Sequence, residues 1–211
     1  IASMNQDAAP MSMLTPALGR TRLVDPAAVF IWLAASAIAV FFWLLLTDSA
    51  IIDGLYIPRT NDSLYHARRI IDAAVGSRGF YEFDERLQVP DGTWISWPWA
   101  YDFLMSRIAA FGVWLDPASD PLAVVFYVPV AWLLVNAALF LAIGRAIRLS
   151  TPMQALAMLC FALSPLTQLL HSVGMLDHHY IEQTFVLLAV WLGIRWFETL
   201  ESRGRAIALG T

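Results

Sequence analysis

The chain has 211 residues, 59% of them hydrophobic, 13% aromatic and only 14% charged, with a mean hydropathy of +0.61. That balance rules out an ordinary soluble domain, and a net charge of −4 argues against a nucleic-acid surface. A lone cysteine, Cys160, sits in an apolar run, so no disulfide framework exists.

Residues 1–25 read as a cytoplasmic tail carrying Arg20 and Arg22. The first uncharged stretch, 26–47, lies between Asp25 and Asp48 and is long enough to span a bilayer, which takes about 20 residues. Pro26 suits a helix entry.

The segment 48–120 reads as a large first external loop. Eleven acidic residues against six Arg leave it at net −5, and its aromatic content predicts a folded unit on the membrane surface. Within it NDSLYHARRIIDAAV reads as a short helix with Asn61 or Asp62 at the N-cap. VPDGTWISWPW has turn chemistry at Pro90-Asp91-Gly92, and its tryptophans suit an interfacial belt. WAYDFLMSRIAAFGVWL reads as an amphipathic helix lying in the interface.

Uncharged runs at 121–144 and 149–170 predict a second and a third span. Pro129, Pro152 and Pro165 are positioned to kink or open these helices. Residues 171–179 form a short second external loop, HSVGMLDHH. A fourth, more polar span follows at 180–197, with Glu182 and Arg195 near its ends, and 198–211 is a second cytoplasmic tail. Arginines cluster before span one, between spans two and three, and after span four. By the positive-inside rule both ends are then cytoplasmic and both loops extracytoplasmic. The expected fold is an all-α polytopic membrane protein with four transmembrane helices and a partly helical first external loop.

This topology brings two acidic motifs to the outer face. One is Asp62, at the start of the loop helix. The other is Asp177-His178-His179, at the entry to span four, where Asp177 and His179 can both turn toward one cation. Carboxylates with one imidazole suit Mn²⁺ well and Mg²⁺ less well. A cation there could bind a lipid diphosphate and offset its charge as a leaving group. On the local pattern alone, Asp62 and Asp177 also read as helix caps. His66, one turn after Asp62, reads as a packing residue or an additional ligand. His171, His178 and Glu182 are further candidates for contact with a carrier or acceptor. Haem ligation is disfavoured, because no histidine faces this cluster from the inner side.

Three motifs in order, TNDSLYHARRI, VPDGTWISWPWAYDFL and GMLDHHYIEQTF, resemble the N-terminal membrane region of oligosaccharyltransferase catalytic subunits of the archaeal and bacterial type. The resemblance runs from Asp53 to Leu192. It implies a GT-C fold and transfer of a glycan from a polyprenyl (di)phosphate carrier, most simply to Asn of a protein. It implies a Mn²⁺ or Mg²⁺ site of Asp62, Asp177 and His179, with Asp62 also acting on the acceptor amide as the catalytic residue. It further implies a plasma-membrane location with an extracytoplasmic active face. Partners would be the bilayer, a polyprenyl-linked glycan donor, a protein or glycan acceptor, and further membrane subunits or a C-terminal part. Members of that family carry an Arg shortly before the second motif, where this chain has QLLHSVGML. They are also much longer, so this chain is expected to hold only part of the activity. Two other readings are a GT-C lipid-linked glycosyltransferase with a non-protein acceptor and a non-enzymatic accessory membrane subunit.

Overall fold

A computed structural model describes residues 25–45, 50–76, 82–97 and 99–209, with side chains to residue 200. The tail arginines Arg20 and Arg22, the end of the first apolar run at Thr47, Asp48, Arg78, Pro98 and the side chains of Arg203 and Arg205 lie outside the described residues.

The described chain is mostly helical, in the order α1 (Pro26–Leu44), β1 (Ile51–Ile52), β2 (Leu55–Tyr56), α2 (Asn61–Ala74), β3 (Phe83–Asp84), β4 (Thr93–Trp94), α3 (Trp99–Leu115), α4 (Leu122–Val125), α5 (Val128–Ala146), α6 (Thr151–Leu163), α7 (Pro165–Leu170) and α8 (His179–Leu209). Among the described residues, two helices are long and apolar enough to cross a membrane: α1, and the nearly continuous α4–α5 from Leu122 to Ala146. The third apolar run is broken. Ser164 takes an extended ψ of 129°, because a residue before proline is pushed out of the helical region and Pro165 has no N–H to continue the ladder. Pro152 instead sits in the first turn of α6, where a missing N–H costs nothing. The last helix runs well beyond Phe197, to Leu209.

One core layer joins α1, α5 and α6. Ala35 and Ala39 of α1 pack with Leu133 and Ala137 of α5 and Met158 and Phe161 of α6; small residues one turn apart let helix backbones approach closely. Asp25 fixes the start of this layer. One oxygen accepts from the Ala27 N–H at 3.1 Å and the other pairs with Arg145 at 2.7 Å, at the end of α5. Away from the core, α1 leaves Phe30 and Phe41 exposed.

Polar bonds pin α5 to α8. Trp132 Nε1 donates to Thr184 Oγ1 at 2.7 Å, Thr184 Oγ1 donates to Asn136 Oδ1 at 2.6 Å, and Asn136 Nδ2 donates to the Tyr180 carbonyl at 2.8 Å. In an apolar surrounding such bonds orient helices that hydrophobicity alone would let rotate.

The segment after α1 is folded, as its composition predicts. Asp53 and Gly54 take φ of 52° and 78° and turn β1 onto β2, with Ile51 opposite Tyr56; Asp-Gly between apolar residues is a strong hairpin signal. Helix α2 begins at Asn61, but its cap is Thr60, not Asn61 or Asp62. The Thr60 Oγ1 accepts from the Ser63 N–H at 3.0 Å, which leaves Asp62 inside the first turn, favourable to the helix dipole. Asp84, fully buried, accepts from Tyr65 Oη at 3.1 Å, from Arg68 at 3.3 Å and from Arg86 Nε at 3.2 Å. The negative loop is thus held together around one buried carboxylate, whose arginine partners reach out toward its surface.

Helix α3 has the boundaries the sequence predicts, but its polarity is inverted. The stripe facing the protein holds Asp102 and Ser106 beside Tyr101, Met105 and Ala109. The outer face shows Phe103, Leu104, Phe111 and Trp114. Of the tryptophan run, Trp94 and Trp99 are exposed, whereas the Trp97 ring packs 5.1 Å from that of Tyr65.

The loop from Ser172 to Asp177 turns at Gly174, whose φ is +79°. Its N–H donates to the Phe126 carbonyl at 3.1 Å, and its carbonyl accepts from the Arg59 N–H at 3.0 Å. A methyl group on Gly174 would stand 2.6 Å from the buried Phe126 ring. Gly174→Ala is therefore expected to cost about 1–3 kcal/mol through backbone strain and overpacking, read as a lower unfolding midpoint of the solubilised protein.

Candidate functional site: an imidazole–carboxylate cluster

Helix α2 buries the face formed by Ser63, His66, Ala67 and Ile70, the i, i+3, i+4, i+7 spacing of a helix that packs on one side. Its N-terminus docks on the 172–177 loop. The Arg59 Nε donates to the Val173 carbonyl at 3.0 Å, and Ser63 Oγ lies 3.6 Å from Met175 Sδ. One turn further on, His66 meets the second motif, with Nε2 at 3.7 Å from Asp177 Oδ1. Helix α2, one turn past Asp62, therefore meets the Asp177 motif through His66.

Three of the four histidines gather there. Asp177 is 4% exposed and its oxygens face different rings. Oδ1 lies 2.9 Å from His178 Nδ1 as well as near His66, while Oδ2 lies 3.5 Å from His179 Nε2. Glu182 draws in the outer side, with Oε1 at 3.3 Å from His178 Nε2 and Oε2 at 2.7 Å from His179 Nδ1. The partners of Glu182 are thus two histidines of the same motif. Two sets of ligand atoms lie within 4.8 Å of one another among the described residues: His66, Asp177 and His178, and His178, His179 and Glu182.

Asp177 does not cap α8 in the usual way. Its Oδ1 accepts from the adjacent His178 N–H at 2.7 Å, whereas an N-cap reaches the N–H two or three residues on. Asp62 is exposed and belongs to neither set of ligand atoms, but its charge is close enough to help raise the pKa of His179. The larger cause of that rise is the hydrogen bond from His179 to Glu182.

His171 is placed elsewhere. It is fully buried, with Nδ1 at 2.9 Å from the Thr167 carbonyl and Nε2 at 2.9 Å from Asn136 Nδ2. Both nitrogens are engaged, so it orders the loop base and offers no free atom to a carrier. Burial holds its pKa down at about 4. Between that value and the ordinary ~6.5 the unfolded chain binds a proton that the folded chain does not, so stability falls as pH drops through this window. Thermal midpoints measured at about pH 7.5 and about pH 5 should show this drop, and His171→Gln should reduce it.

Sequence reasoning missed the residues that hold His66. Its Nδ1 lies 2.6 Å from Asp102 Oδ1, and Asp102 Oδ2 lies 2.8 Å from Arg69 Nη1. All three side chains are at most 2% exposed. The available signal was a carboxylate near the start of an otherwise largely apolar helix, which needs a partner once buried.

Beside the cluster opens a cavity of about 450 Å³, lined by Tyr101, Leu104, His178, Ile181, Glu182 and Phe185. Its walls are mainly apolar, with His178 and Glu182 at one side. No protein-family model, curated protein or solved structure matches this chain.

Proposed function

We propose that the chain is the N-terminal part of a metal-dependent membrane glycosyltransferase of the oligosaccharyltransferase type, transferring a glycan from a polyprenyl (di)phosphate carrier to an acceptor. In this reading the helices form a four-span, GT-C-like membrane unit. Helix α8 and the broken α6–α7 pair cross beside α1 and α5, both ends are cytoplasmic, and the cluster faces outward. The exposed apolar faces of α1 and α3, set against polar residues turned inward, support it; lipid would cover such faces.

The observation that carries the reading is the meeting of α2 with the Asp177 motif next to an apolar cavity. A carrier lipid has the matching chemistry, an isoprenoid chain for the apolar walls and a diphosphate for the cluster. Mn²⁺ or Mg²⁺ would be held by Asp177 and His179 with Asp62 at the rim, and would offset negative charge on the leaving diphosphate. Asp62, exposed on the first turn of α2, is free to accept a hydrogen bond from an acceptor amide. Asp177 and Glu182 orient the outer imidazole of His179.

The test is binding of a polyprenyl-diphosphate glycan by this chain in proteoliposomes, and its turnover by the longer enzyme of which the chain is proposed to be the N-terminal part, offered an Asn-containing acceptor peptide or a glycan acceptor. Carrier binding that weakens on chelation and recovers with Mn²⁺ is expected. Transfer to the peptide identifies a protein acceptor, and transfer to the glycan a non-protein one. Carrier binding indifferent to chelator, in wild type and Asp177→Asn alike, would leave the accessory-subunit reading in its place.

A further inference from the structure

We infer that His66 Nε2, Asp177 Oδ1 and His178 Nδ1 form an inner metal site, separate from the outer Asp62–Asp177–His179 position. Asp102 and Arg69 act as its positioning residues, and the site selects a late first-row divalent cation such as Zn²⁺ over Mg²⁺. The inference builds on the proposed function, with which it shares Asp177.

Two buried nitrogens carry it. Neither His66 Nε2 nor His178 Nδ1 makes a hydrogen bond among the described residues, although His66 is fully buried. A buried polar atom left unsatisfied costs free energy and calls for an occupant. The hydrogen-bond arrangement says what kind. Asp102, paired with Arg69, accepts from His66 Nδ1 at 2.6 Å, which sets the tautomer and turns the Nε2 lone pair toward Asp177. A lone pair and a carboxylate oxygen then face each other across 3.7 Å, an arrangement that repels unless something positive lies between them.

Carboxylate, imidazole and ligand atom in series is the usual support of a histidine metal ligand: the outer carboxylate fixes the ring and raises its basicity. Two imidazole nitrogens and one carboxylate oxygen suit Zn²⁺, Fe²⁺ or Co²⁺, whereas Mg²⁺ prefers oxygen donors and its own water. The two oxygens of Asp177 divide the sites, Oδ1 facing inward to His66 and His178 and Oδ2 outward to His179.

The experiment uses the full chain, purified, stripped with chelator and dialysed against Zn²⁺ in excess Mg²⁺, with bound zinc counted by mass spectrometry. Wild type should keep zinc against Mg²⁺. His66→Gln and His178→Gln should weaken retention at least tenfold, and Asp102→Asn by about 10–100-fold. Asp62→Asn and His179→Gln should leave it unchanged. Pulsed EPR of bound Cu²⁺ should show nitrogen couplings from two imidazoles in wild type, Asp62→Asn and His179→Gln, and from one in His66→Gln. The spectra of the first three proteins need no core substitution and decide the matter even where His66→Gln does not fold. Zinc lost to Mg²⁺, fewer than two imidazole couplings in wild type, or retention that depends on Asp62 or His179 would overturn the inference. Failure of the glycosyltransferase reading shows separately, as carrier binding that is equal in chelator-stripped and metal-reloaded protein while zinc retention after reloading is intact.

Discussion

Asp102→Ala is expected to destabilise the protein by about 3–5 kcal/mol, the range for removing one partner from a buried charged group. The carboxylate is fully buried on α3, 2.6 Å from His66 Nδ1 and 2.8 Å from Arg69 Nη1. Alanine removes the carboxylate that Arg69 and His66 Nδ1 share in a place water does not reach, and the desolvation of both groups is then less well compensated. Domains are stable by only about 5–15 kcal/mol, so the loss is a large share of the total. Denaturant or thermal unfolding of the solubilised protein measures it, with Asp91→Ala at an exposed turn as a control expected within about 0.5 kcal/mol of wild type. Replacing His66, Arg69 and Asp102 together by apolar residues of similar volume should recover most of the stability, because the buried charge pair is then removed as a whole instead of being left with one partner. Zinc retention should not return in that variant. An unchanged midpoint for Asp102→Ala would show that the trio does not hold α2 to α3.

Asp177→Asn is expected to lower carrier-dependent glycan transfer at least about a hundredfold, the lower end of the cost of removing a group that stabilises developing charge. Asparagine keeps the shape of the side chain and the oxygen that accepts from the His178 N–H, so the loop and α8 should form as before. What disappears is the charge that three imidazoles surround. Unfolding midpoints of variant and wild type should agree within a few degrees while turnover of the lipid-linked donor collapses. Asp62→Asn should also reduce transfer, since Asp62 is assigned to the acceptor side, but should leave carrier binding closer to wild type. Full turnover in Asp177→Asn would place the reacting centre elsewhere in the protein.

Much of the architecture was legible because it rests on local properties. Helix α3 begins and ends where its pattern predicts, and α2 misses chiefly in its cap, where Thr60 was passed over for Asn61 and Asp62. The break at Ser164 follows from Pro165. Other features needed distance information. The Asp53-Gly54 hairpin has a readable turn signal that the surrounding apolar run obscured. The inverted polarity of α3 is invisible to periodicity, which finds a stripe without saying which side meets protein.

The site divides the same way. Its second motif is visible as a cluster of acid and imidazole between apolar runs. Yet no spacing rule separates His171, with both nitrogens engaged by Thr167 and Asn136, from His66, whose Nε2 stays unbonded. The linear chain by itself determined where apolar helices form, where prolines break them, and that acids and histidines stand at their ends, because hydropathy, propensity and backbone sterics act over a few neighbouring residues. Only the tertiary structure decided that Asp102 and Arg69 brace His66 against Asp177. Burial makes each of these groups require a partner, and packing of distant elements determines which partner lies within reach.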